Sequence, residues 1–134
     1  MVALLLLVII MLVTAIPLLT NLARRPRGMI RNYILRVTPI ETSIEDVIEI
    51  IESRDDWGIA NVDYERGFSP YSFRGPPPVG QPDIPRIGEK SIIVNIGSYR
   101  AWYGWFLHTG VSVSWGFDAD GKLIEVHVRK VSGP

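Results

Sequence analysis

VSVSWGFDADGKLIEVHVRK, residues 111–130, decides the fold. Val111, Val113, Trp115 and Phe117 alternate with Ser112, Ser114 and Gly116, and Ile124, Val126 and Val128 alternate with Glu125, His127 and Arg129. Between the two runs stands Asp118-Ala119-Asp120-Gly121. Period-two alternation on both sides of a Gly-containing turn predicts a β-hairpin with one buried face. That face needs a cover, and the rest of the chain supplies candidates for it.

The best of these is a helix beginning near Thr42. Thr42 with Glu45 fits a capping box, and Ile44, Val47, Ile48 and Ile51 form one apolar stripe. Glu45 and Asp46 occupy the first turn, where the helix dipole favours negative charge. Glu45 and Glu49 are i, i+4 neighbours without an accompanying His, which reads as a solvated face rather than a metal site. Upstream, Ile30, Tyr33, Ile34 and Val37 mark a short helical stripe, although Tyr33, Leu35 and Val37 equally suit a strand. Thr38-Pro39 ends that element. Two more strands are predicted: one near residues 57–64, where Ala60, Val62 and Tyr64 alternate with Asn61 and Asp63, and one at Ile92, Val94 and Ile96. Two short helices on one face of an antiparallel sheet of three to four strands give an α+β fold.

Ahead of this lies a different kind of segment. Residues 1–19 carry no charged side chain, and Thr14 is their only polar one. Such a run is roughly 30 Å long as a helix, which predicts a transmembrane anchor over residues 1–20. A cleaved signal peptide is the competitor. It is disfavoured by the missing basic leader, by the length of the run and by Asn21 at the first position of the Asn21-Leu22-Ala23 site. The expected organisation is an anchor at 1–20, an arginine-rich juxtamembrane segment at 21–36 and an α+β domain at 37–134.

The formal net charge of zero hides an asymmetry. Arg24, Arg25, Arg27, Arg31 and Arg36 fall together with no acid among them, and the other nine basic side chains face all 14 acidic ones, a net of −5. A domain of that sign is no nucleic-acid binder, and the arginines suit anionic headgroups. By the positive-inside rule they place the domain on the cytoplasmic side of a single-pass cell-membrane protein. The absence of cysteine excludes disulfides, thiolate chemistry and a lipid-modified N-terminal Cys.

Residues 66–88 hold six of the ten prolines and four glycines, a stiff surface loop. Within it, Pro82-Asp83-Ile84-Pro85-Arg86 has the form of a polyproline docking motif, a pattern frequent by chance. Tyr99, Trp102, Tyr103, Trp105 and Phe106 crowd into eight positions. Three readings compete for them: completion of the core, a ligand site, or contact with the headgroup region, where Trp and Tyr are favoured.

Nothing assembles a catalytic set, a metal site or a cofactor motif. His127, between Glu125 and Arg129 on the outer hairpin face, reads as part of a solvent-exposed charge row, with a general base or single metal ligand as the rival. His108 has no predicted partner. The turn at 118–121 has the opening of a calcium loop but meets Arg129 where that loop needs Glu.

Three blocks resemble a group of small bacterial membrane-anchored proteins to which no activity is attached: residues 37–48, residues 87–100, and residues 113–124. More distantly, the helix start at Ser43-Ile44-Glu45-Asp46-Val47 and the run Phe117-Asp118-Ala119-Asp120-Gly121-Lys122-Leu123 resemble the SmpA/OmlA (BamE)-like and β-lactamase-inhibitor-like fold. That resemblance implies two helices on an antiparallel sheet and a protein-binding module at a membrane, on the extracytoplasmic side. It departs from the lipoprotein pattern in lacking Cys. The expected function is therefore a non-enzymatic, membrane-anchored protein-interaction module. The alternative is an envelope polysaccharide or lipid binder that uses the aromatic cluster at 99–106.

Overall fold

The computed structural model describes residues 1–70, 85–100 and 107–133, and on the first helix the side chains of residues 1–13 and 15. In chain order come helix α1 (Val2–Thr20), a 3-10 turn (Leu22–Arg24), α2 (Arg27–Val37), α3 (Ile44–Glu52), and strands β1 (Gly58–Asp63), β2 (Lys90–Arg100), β3 (His108–Phe117) and β4 (Leu123–Gly133). The strands form one antiparallel sheet in the order β1-β2-β3-β4. The α+β expectation holds, and residues 22–37 pack into the same body as the rest.

The hairpin turn forms as the sequence predicts. Gly121 N–H donates to the Asp118 carbonyl (3.0 Å), and Asp118 Oδ1 accepts from Lys122 N–H (2.9 Å). Its inner face does not follow simple alternation. Trp115 pairs with Val126 and Val113 with Val128, but Phe117 pairs with Leu123 across a register shift beside Gly116. Ile124 is thereby the extra residue of a β-bulge and points to solvent, 44% exposed, while Leu123 is buried in its place. The expected inward Ile124 is corrected to Leu123.

Val94, Val113, Trp115, Phe117, Val126 and Val128 join Ile30, Ile34, Ile44, Val47 and Ile51 in one core cluster, with Ile48 packed against it. The helix cap also moves by one residue. Ser43 Oγ, not Thr42, accepts from the Asp46 N–H (3.2 Å), and Thr42 Oγ1 instead donates to the Pro39 carbonyl (2.6 Å). The reason is tertiary: Leu123 N–H donates to the Thr42 carbonyl and Ile44 N–H to the Gly121 carbonyl, so the lead-in to α3 is held against the turn of the hairpin.

Trp115, fully buried, is the centre of this arrangement. Its indole Nε1–H donates to Thr38 Oγ1 (3.0 Å), and the Thr38 hydroxyl donates to the Ile34 carbonyl (2.8 Å). Burying Trp is tolerable only because its N–H finds a partner. That chain of bonds ties the end of α2 to the middle of β3.

On the first helix, Val2 and Leu4–Val13 expose their side chains, from 48% at Ile9 to 76% at Val2. No described residue of α1 belongs to the core cluster. Among the described residues no helix is long and apolar enough to cross a membrane, so the expected transmembrane span is not part of the fold as described.

Candidate functional site

The surface most loaded with chemistry lies where the 3-10 turn after α1 meets the sheet. Asn21 caps the 3-10 turn, its Oδ1 accepting from Ala23 N–H (3.0 Å). Ala23 is buried against β2 at Gly97, where φ is +146° and an added Cβ would stand 3.4 Å from the Ala23 methyl. Gly97 follows a bulge at Ile96 and lets the turn approach the strand closely. Docking at this point sends Arg24 and Arg25 along the strand ends.

Tyr99 is where they converge. The Arg24 guanidinium lies 5.5 Å from its ring centroid and the Lys130 ammonium 4.9 Å from the same ring. Lys130 Nζ also donates to the Arg25 carbonyl (2.7 Å) and to Tyr99 Oη (3.3 Å). Two cations within reach of one ring give a cation–π clasp around the half-buried Tyr99. Trp102, Tyr103, Trp105 and Phe106, expected beside Tyr99, lie outside the described residues.

Adjacent is a cleft of about 540 Å³ lined by Asn21, Leu22, Arg25, Tyr33, Arg54, Asp56, Trp57 and Ile96. Arg54 is its fixed charge. Its Nη1 donates to Tyr33 Oη (2.7 Å), and its guanidinium lies 4.9 Å from the Trp57 ring and 5.6 Å from that of Tyr33. Trp57 is itself buried, 6.3 Å from Trp115, so the guanidinium rests on a wall that continues into the core. Arg54, Tyr33 and Trp57 form a side-chain grouping that the sequence reading missed. It is assembled from three separate elements, and Ser53-Arg54-Asp55-Asp56 reads locally as nothing more than a helix exit.

The outer hairpin face differs from expectation. Glu125 and His127 are half-buried, not solvent-exposed. Arg31 reaches from α2 to the sheet edge, where Nε donates to the Val126 carbonyl (3.1 Å) and Nη2 pairs with Glu125 Oε1. This covers part of the outer side of β4, an edge strand paired only with β3. Burial raises the Glu125 carboxyl's proton affinity, but the Arg31 hydrogen bond, the Val126 N–H, and the charges of Arg31 and His127 outweigh it, and its pKa ends lowered. His127 stacks on Phe68 (centroids 6.0 Å apart, 23° between planes). Its pKa is lowered by burial first, then by Arg27 and Arg129, with Glu125 opposing. Half-buried and stacked on Phe68, the imidazole is a packing residue here. His108 finds a partner the sequence did not suggest: Arg100 Nε donates to its Nε2 (2.9 Å) across the β2–β3 pair.

Glu45 and Glu49 are exposed on α3. Among the described residues, no three His, Cys, Asp or Glu side chains gather as a metal site would require. Of the proline-rich loop, residues 71–84 lie outside the described residues; Arg86 donates to the Gly67 carbonyl (2.9 Å), and Phe68 and Ile87 form an isolated β-bridge. Compared with protein-family models, curated proteins and solved structures, the chain matches none.

Proposed function

We propose that this chain is a non-enzymatic protein-interaction module held at a membrane through residues 1–20. The carrying observation is the exposed apolar surface of α1, joined to a domain whose core closes without it. A contiguous apolar surface of that extent is stable only against an apolar phase or partner. The arginines that follow α1 suit anionic headgroups at its exit. The module itself offers β1, an edge strand with Gly58–Asn61 exposed, as a place for a partner. The SmpA/OmlA (BamE)-like resemblance points the same way.

Flotation of the full chain with neutral phosphatidylcholine vesicles tests the anchor: the chain is expected in the lipid fraction, and its recovery as free protein would remove the reading. Crosslinking from β1 positions in native membranes tests the interaction half. One specific partner is expected, and none under several growth conditions counts against it. A reporter fused after Pro134 reads the side, which the arginine bias assigns to the cytoplasm and the resemblance to the exterior.

The second reading, a lipid or envelope polysaccharide binder, draws on the Arg24–Tyr99–Lys130 clasp. Cations already lie over the Tyr99 ring, an arrangement better suited to an anionic headgroup than to a stacked sugar.

A further inference from the structure

We infer that the cleft between the 3-10 turn, α2 and the exit of α3 binds a singly charged phosphodiester, the chemistry of an anionic lipid headgroup. The inference deepens the membrane reading above, since it assigns a ligand to the domain's membrane-proximal surface.

The cleft's volume of about 540 Å³ is far larger than a phosphate needs and suits a glycerophosphate group. Arg54 supplies a guanidinium whose plane is held by the Tyr33 hydroxyl and by stacking on Trp57. A guanidinium fixed in this way presents a fork that matches two phosphate oxygens, with little rotamer freedom left to lose on binding. Among the described residues, the Arg54 side chain has no carboxylate within ion-pair distance and makes no hydrogen bond other than that to Tyr33. Arg25 brings a second guanidinium to the lining, and Asn21 an amide.

Leu22, Ile96 and the Trp57 ring line the same space and offer an apolar wall to a glycerol backbone and its first methylenes. Position matters as well. Asn21 and Leu22 directly follow α1, so with α1 in lipid the cleft opens at headgroup depth.

Asp56 on the lining sets the selectivity. Its carboxylate repels a second negative charge and accepts from a polyol hydroxyl. A phosphodiester bearing one charge and a free glycerol, as in phosphatidylglycerol, fits better than a doubly charged phosphomonoester.

The test is native mass spectrometry of the full chain in micelles doped with phosphatidylglycerol, phosphatidic acid or phosphatidylcholine. One phosphatidylglycerol is expected to be retained, about tenfold in preference to phosphatidylcholine, and Arg54→Gln should weaken it about tenfold or more, as for a lost charge-assisted hydrogen bond. Tyr33→Phe keeps the ring but frees Arg54, and about a threefold loss is expected. Unchanged thermal midpoints establish that these variants are folded; if Arg54→Gln is not, Tyr33→Phe decides. Arg36→Gln, an exposed arginine outside the cleft, should bind as the parent does. Equal losses from Arg36→Gln and Arg54→Gln would reveal diffuse charge attraction and overturn the site, as would equal retention of phosphatidylcholine. Water-soluble glycerophosphoglycerol and inorganic phosphate separate the sources. Displacement by millimolar glycerophosphoglycerol identifies a soluble phosphodiester as ligand, and resistance to it identifies the lipid. If the chain fails to float with neutral vesicles yet binds glycerophosphoglycerol through Arg54, the membrane reading falls and the anion site stands.

Discussion

At the scale of single residues, the bond from Trp115 to Thr38 is the most exposed to test. Thr38→Val keeps the shape of the side chain and strands a buried indole N–H, so a loss of about 1–3 kcal/mol is expected in urea unfolding. Trp115→Phe in the Thr38→Val background removes the stranded donor and should recover part of that loss. A second residue-scale expectation concerns pH. Both His127 and Glu125 have lowered proton affinity in the folded chain, so the unfolded chain binds more protons than the native one wherever each titrates, and stability rises with pH there. The contribution of His127 is complete above its ordinary value of 6.5 and is lost as pH falls below it; that of Glu125 is complete above 4.5 and is lost below that. The unfolding midpoint should therefore decline in two steps on acidification, with His127→Gln removing the upper step and Glu125→Gln the lower. A single step unaffected by either change would sink the assignment. None of these partnerships was legible in the sequence. Trp115 and Thr38 are 77 positions apart and Arg31 and Glu125 are 94 apart, and side-chain pairs at such separations leave no local pattern. The grouping of Arg54 with Tyr33 and Trp57 is hidden for the same reason.

At the scale of elements, the alternating and helical patterns were a good guide, because a half-buried strand or helix must repeat its apolar residues at its own period. β2, β3 and α3 carry their predicted inner residues into the core. The pattern failed at two of three bulges, while Ile96 at the third is buried as predicted. Ala60, Ile96 and Ile124 each fall at a register shift, and Ile124 continues the alternation of Val126 and Val128 on paper while facing solvent in the fold. An added residue reverses the side of everything beyond it, and alternation alone cannot signal where it is inserted. The pair Ile124 and Val126 makes the distinction measurable. Ile124→Thr should change stability by less than about 0.5 kcal/mol, as for an exposed position, whereas Val126→Ala should cost about 2 kcal/mol. Equal costs would mean that the bulge is misplaced. Gly116 explains why the irregularity sits there: an added Cβ would stand 2.9 Å from the Phe68 ring and 3.1 Å from the Ile87 carbonyl oxygen, so the outer strap at 68 and 87 needs a glycine beneath it.

At the scale of the whole molecule, the question is whether α1 belongs to the folding unit or only to its address. The core draws on the 3-10 turn, α2, α3 and strands β2, β3 and β4, and no described side chain of α1 enters it. The remaining domain, just over 110 residues long, is large enough to bury a sufficient core without disulfides. Removing residues 1–20 should therefore leave a cooperative unfolding transition within about 1 kcal/mol of the full chain, since only surface contacts are lost. The same truncation should abolish flotation with neutral vesicles. Calorimetry and flotation together separate the roles. A truncated chain that no longer melts cooperatively makes α1 a structural helix, its apolar surface destined for a second copy or a partner protein. One that melts normally but still floats moves the membrane contact onto the arginines and the Tyr99 clasp. Only loss of flotation with the melt retained fits an anchor that is energetically separate from the module it carries. The physical basis of that separation is already visible at the junction, where Asn21 caps a turn that packs on Gly97 and so ends the helical run before the domain begins.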